Sequence, residues 1–169
     1  MSTSSDSSCV GESDSSPGKK SIAVIGSKGI PSRVSGLEVY VQEICTAIAD
    51  DYDITVFCRD RYCDAKLDDY NGVKIVHVSS INTKHLDAIT YSLFATISAL
   101  AKGYDLYWYH ALGPAITSCL PKVLGKSVLS TVHGLDWKRE KFGKLASAVL
   151  KMGEHAIAAC ADEIIVLNK

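Results

Sequence analysis

Residues 21–40 read SIAVIGSKGIPSRVSGLEVY, and three kinds of local pattern meet there. Ile22, Ala23, Val24 and Ile25 form an unbroken apolar run, the mark of a strand buried on both faces. From Gly26 to Gly36 the chain carries three glycines, one proline and the cations Lys28 and Arg33. Beyond Gly36, the residues Leu37, Tyr40, Val41, Ile44 and Ile48 fall on one face of a helix. A strand feeding a glycine-rich turn and then a helix start aims backbone N–H groups and a positive dipole end at one place. The stretch therefore predicts a phosphate or sugar-phosphate site at the carboxyl end of a first parallel strand. A plain structural βα turn is the competing reading, and the length of the loop counts against it.

Moving outward, the same alternation continues. Residues 53–58, 73–78, 105–109, 127–132 and 163–167 read as further strands, and 86–101, 113–124 and 139–161 as helical segments. The segment 86–101 is apolar enough to raise a membrane question. It falls short of the roughly 20 residues a span needs and contains Asp87 and several hydroxyls, so a buried helix is expected. Strands alternating with helices predict an α/β fold, a doubly wound parallel sheet in three α/β/α layers. In such sheets ligands bind outside the carboxyl ends of the strands. The loop 26–36, Arg59, His110, His133-Gly134 and Asn168 all stand at predicted strand ends.

A chain of 169 residues, 47% hydrophobic and 22% charged, has the content of one globular domain. A net charge of -1 argues against a dedicated nucleic-acid binder, because there is no basic excess to neutralise phosphates. The six cysteines are scattered, with no CxxC pair and no histidine at metal-ligand spacing. They predict reduced thiols, no metal site and a cytoplasmic protein. Residues 1–20 are rich in Ser, Asp and Gly and predict a disordered tail, either an inert leader or a phosphorylated regulatory segment. That tail lacks the basic and apolar regions of a signal peptide. Residues 21–169 are expected to form the folded domain.

A dinucleotide site fits poorly. GxGxxG is absent, the glycines being Gly26, Gly29 and Gly36, and Asp60 comes too far along to serve as the ribose-binding acid. A GxxxxGK[ST] phosphate loop is absent too. An NAD-type reductase stays as the lesser alternative.

The segments IAVIGSKGIPSRVSGLEVYVQEI and STVHGLDWKREKFGKLASAVLKMGEHAIAACADEIIVLN together resemble the N-terminal domain of retaining GT-B glycosyltransferases of family 4. The rhamnosyltransferase-like branch of polysaccharide assembly is the nearest in look. Its first loop carries a G-T-R-G-I-P-A-R-Y-G-G-F-E-T pattern, matched here from Gly26 to Val39, and its later H-G-x-x-W-x-R-x-K-W pattern is matched from His133 to Phe142. Ser35-Gly36 replaces the Gly-Gly pair, so a side chain stands at a position open to positive φ. Val34 replaces the aromatic, and Phe142 the final Trp.

The resemblance implies a Rossmann-like, acceptor-side half of a GT-B enzyme. A C-terminal donor domain, in cis or in trans, would carry the nucleotide pocket, and this half alone would be inactive. The whole enzyme would transfer a hexose or deoxyhexose from a nucleotide-diphosphate sugar to a glycan or lipid-linked acceptor, with retention. No cofactor or metal is implied; the leaving diphosphate would be stabilised electrostatically. His133 matches the family's cleft histidine and is the catalytic candidate, imidazole being able to donate or accept near neutral pH. Gly29, Arg33, Ser35, Gly36, Glu38, His110, Gly134 and Asp136 are the substrate-binding candidates. For Glu38 capping of backbone amides competes with acceptor contact, and for His110 a core position competes with the cleft. Lys138, Arg139, Lys141 and Lys144, with Lys151 beyond, form either a solvated face or a contact for an anionic membrane surface or lipid-diphosphate acceptor. In the second case the protein would be peripheral on the inner face of the membrane. A non-catalytic sugar- or partner-binding subunit of a split transferase is the alternative function.

Overall fold

A computed structural model of the chain describes residues 18–32, 35–63, 67–81, 83, 87–134 and 144–167, with 144–146 as backbone only. The strands are β1 (Ser21–Ile25), β2 (Asp53–Arg59), β3 (Asp69–Tyr70), β4 (Val73–Val78), β5 (Leu106–His110), β6 (Ser127–Val132) and β7 (Glu163–Val166). The helices are α1 (Gly36–Ala47), α2 (Asp87–Lys102), α3 (Cys119–Val123) and α4 (Lys144–Cys160), with a 3-10 turn at Pro114–Ser118 leading into α3.

One sheet holds all seven strands in the order β3-β4-β2-β1-β5-β6-β7. Every neighbouring pair is parallel except β3 with β4. The expected doubly wound α/β architecture is what the chain adopts. β3 escaped the sequence reading because it is two residues long. Its signal was nonetheless present: Asn71-Gly72 joins it to β4 with both residues at positive φ, 50° and 80°, the pair favoured in tight hairpins.

β1 is central and buried on both sides. Ala23 and Ile25 join Phe57, Tyr91, Ala95, Tyr107 and Tyr109 under α2, with Ile157 of α4 in the same cluster. Ile22 and Val24 join Val41, Cys45, Ile54, Val56 and Trp108 under α1. This explains the unbroken apolar run at 22–25: alternate residues serve opposite layers.

The hydroxyls of α2 that counted against a membrane span are used inside. Thr96 Oγ1 bonds Tyr109 Oη at 3.0 Å and Thr117 Oγ1 at 2.9 Å. The expectation of a buried helix needs correction, however. Ile89, Leu93, Phe94 and Ile97 are 37–52% exposed, because the sheet covers only one side of α2. Among the described residues, no helix is long and apolar enough to cross a membrane.

Candidate functional site

The chain leaves β1 toward β2 on one side, and β5 lies on the other, so the sheet's switch point falls between β1 and β5. That is where doubly wound sheets open a crevice. Gly26 follows β1 with φ +118°, and a Cβ there would lie 2.2 Å from the carbonyl oxygen of His110, the last residue of β5. Only glycine allows the two strand ends to come this close.

The loop that follows bonds its amides internally. Gly26 N–H donates to Tyr91 Oη (3.2 Å), Lys28 N–H to Glu38 Oε1 (3.3 Å), Gly29 N–H to Ser27 Oγ (3.1 Å) and Ser32 N–H to Gln42 Oε1 (2.7 Å). Glu38 and Gln42 are one turn apart on α1 and grip loop residues that are also four apart. The Ser35-x-x-Glu38 spacing looks like a capping box. Here the Ser35 hydroxyl instead donates to the Glu38 carboxylate, and Glu38, 3% exposed, reaches back to the loop. Glu38 thus serves the backbone of the loop, the capping reading in a longer-range form. Ser35 has φ -158°, extended backbone, so the expected positive φ is not adopted. At Gly29 a Cβ would stand 1.9 Å from Cys63 Sγ, so that thiol would have to turn aside. Gly36 meets no such demand, with nothing within 4 Å of its Cβ position among the described residues.

Charges at the neighbouring strand ends are also engaged. Arg59, closing β2, donates from Nη1 to Asp87 Oδ2 at 2.9 Å and lies over the Tyr91 ring at 4.6 Å. Tyr91 is fully buried, and burial raises its pKa, so its hydroxyl stays protonated and joins Phe57 O to the Gly26 amide. The Lys28 ammonium sits 5.3 Å from the centre of the Tyr62 ring.

The two histidines come together. β5 pairs with β6 so that His110 lies opposite Thr131. His133, two residues on, then brings Nε2 to 3.3 Å from His110 Nδ1. His110 has no exposed surface, whereas His133 is half-buried and Gly134 follows at φ +147°. Tyr40 of α1 meets both rings edge-on, at 5.1 Å from His133 and 6.0 Å from His110. The Trp108 ring lies 4.8 Å from that of His110, with its indole N–H donated to Thr131 Oγ1 at 2.8 Å. Burial, and then the neighbouring His133, push the His110 pKa down to about 3, so its ring is neutral. Chemically, the crevice offers one reachable imidazole, met by a neutral buried partner and by the Tyr40 ring.

Of the sequence candidates, the fold gathers Gly29, Ser35, Gly36, Glu38, His110, His133 and Gly134 around the carboxyl ends of β1, β5 and β6. Among them, His110 lies in the core side of that gathering. Arg33, Asp136, Lys138, Arg139, Lys141 and Asn168 lie outside the described residues, as does the side chain of Lys144, which opens α4. Sequence reasoning missed Tyr40, Gln42, Tyr91 and Trp108. Gln42 carried a signal, one turn beyond Glu38 on the helix face nearest the loop. Tyr91 and Trp108 read simply as core.

Comparison with known proteins agrees with the fold. Residues 34–169 match the model of the family described as Glycosyltransferase Family 4. Among solved structures, the chain is similar to sucrose-phosphate synthase from Thermosynechococcus elongatus, at 17% identity and a TM-score of 0.69 over 89% of this chain and 43% of that one. It is also similar to Anabaena HepE, solved in complex with UDP and glucose, at 13% identity and a TM-score of 0.57 over 87% of this chain and 38% of that one. The chain therefore spans less than half the length of either neighbour. No curated protein matches it in sequence.

Proposed function

Because this chain belongs to Glycosyltransferase Family 4, we propose that it is the acceptor-side domain of a retaining GT-B glycosyltransferase. The enzyme would move a hexose or deoxyhexose from a nucleotide-diphosphate sugar to a glycan or a lipid-linked acceptor. The observation that carries this reading is His133, half-buried beside the sheet's switch point and backed by His110 at 3.3 Å. A reachable imidazole there suits contact with a sugar hydroxyl or with oxygen on the leaving phosphate.

The loop amides contribute less than a phosphate cradle would. Those of Lys28, Gly29 and Ser32 are bonded within the protein, so we assign this loop to shaping the crevice wall. We assign donor binding to a second domain, in cis or in trans; this chain covers only 43% and 38% of the two structural neighbours. HepE was solved with UDP and glucose, which makes UDP-glucose the first donor to test. The basic residues Lys138, Arg139, Lys141 and Lys144 are proposed to meet the lipid-diphosphate acceptor or an anionic membrane surface.

The test is transfer of labelled sugar from a panel of nucleotide sugars by this chain together with a donor domain, with the product's anomeric configuration read by NMR. His133→Ala should lower the rate about 100-fold, the usual effect of losing one aimed hydrogen-bond group. An unchanged rate in that variant would remove His133 from the reaction. Inverted product would remove the retaining mechanism.

A further inference from the structure

His110 stands in the core with two ring nitrogens and one partner. Its Nδ1 faces His133 Nε2 at 3.3 Å. Its Nε2 is buried and has no hydrogen-bond partner among the described residues. The nearby indole N–H of Trp108 is donated to Thr131, so Trp108 brings neither donor nor acceptor to that nitrogen.

A neutral imidazole carries one proton, and the two placements are unequal here. With the proton on Nε2, a buried N–H would have no acceptor, and orphaned buried N–H groups are the rarer kind. With the proton on Nδ1, the orphan is only a lone pair and the N–H is satisfied by His133. The second placement is favoured because the bond to His133 forms in either case and only the orphan at Nε2 differs. It makes His133 Nε2 the acceptor of that bond, which places the proton of neutral His133 on Nδ1.

We propose that His110 is a positioning residue that fixes His133 in its Nδ1–H form, so that His133 presents an N–H donor, and not a base, at its other edge. An acceptor meeting that Nδ1 reinforces this placement, and a donor there would oppose it. Resting on the glycosyl-transfer reading of the crevice, it assigns His133 the part of holding oxygen through a hydrogen bond. Removal of the proton from the attacking hydroxyl would belong to another group.

The experiment is a two-bond 1H–15N correlation spectrum of the full chain labelled with 15N-histidine, recorded at neutral pH without substrate. Protonated and bare ring nitrogens resonate far apart. The five histidines are assigned with single His→Gln variants. The expected pattern is a protonated Nδ1 and bare Nε2 on both His110 and His133. His110→Phe should let His133 shift toward the mixture seen for free imidazole, and His110→Leu serves if the Phe variant does not fold. A protonated Nε2 on His133 in the wild type would overturn the proposal, as would an unchanged His133 tautomer once His110 is gone. The spectrum needs no donor or acceptor sugar. A complete lack of transfer activity in the presence of a donor domain, joined in cis or added in trans, would therefore sink the functional reading while leaving the tautomer result to stand by itself.

Discussion

Replacing Gly26 by alanine tests the close approach on which the crevice depends. The added Cβ would lie 2.2 Å from the His110 carbonyl oxygen, far inside contact distance, and the atom it meets is backbone in a central strand. Nothing flexible can turn aside, so β1 and β5 must separate at their carboxyl ends. Overpacking of this sort costs about 1–3 kcal/mol. The backbone at φ +118° adds about 1–2 kcal/mol for any residue with a side chain. Together the loss is about 2–5 kcal/mol, a large part of the ~5–15 kcal/mol that holds an ordinary domain folded. At roughly 2–4 °C per kcal/mol for a chain of this size, the midpoint should fall by at least ~4 °C. The assay is urea unfolding followed by circular dichroism, with a thermal scan alongside. Gly36→Ala is the internal control: it opens α1, has open space around its Cβ position, and should be neutral or stabilising by up to about 1 kcal/mol. If Gly26→Ala unfolds within about 0.5 kcal/mol of the wild type, the strand ends do not meet as described.

Three further outcomes are expected. His110 has a folded pKa of about 3 against 6.5 for the free group. Its stabilising effect is complete above pH 6.5 and is lost as pH falls toward 3, because only the unfolded chain takes up the proton. At pH 5 that loss is about 2 kcal/mol, and His110→Phe should flatten this part of a stability–pH curve. Tyr91→Phe leaves Phe57 O and the Gly26 amide without their buried partner and should cost about 1–3 kcal/mol in denaturant unfolding; a value near zero would show that water replaces the hydroxyl. Glu38→Ala removes the acceptor for the Lys28 amide, so that amide should exchange with deuterium markedly faster than in the wild type, at a stability loss of about 1–2 kcal/mol. Equal exchange rates would show that the loop does not depend on Glu38.

The six parallel strands were readable because each is a largely apolar run bounded by polar turns, and the order of layers followed from their alternation with helices. The candidate site was legible in part. That His110 and His133 both end strands could be seen in the chain, but their contact depends on β5 and β6 being neighbours in a fixed register, which no local pattern reveals. The use of the loop amides was hidden for a similar reason. Glu38 and Gln42 lie ten residues beyond the amides they accept from, and only the path of the chain turns them back. The exposed face of α2 was misread because an apolar helix with hydroxyls looks the same in sequence whether one side or both are covered.

Between Gly26 and Ser32, the loop draws its shape from Tyr91, Ser27, Glu38 and Gln42. A ligand reaching this wall finds it already set. Little ordering is charged against its affinity, and little of its binding energy is diverted into arranging the backbone. Discrimination at the wall then rests mainly on carbonyl groups and side-chain tips, because the amides of Gly26, Lys28, Gly29 and Ser32 are committed elsewhere. Substitutions deep in α1 or α2, far from any ligand atom, would register as altered affinity by reshaping a surface they never touch.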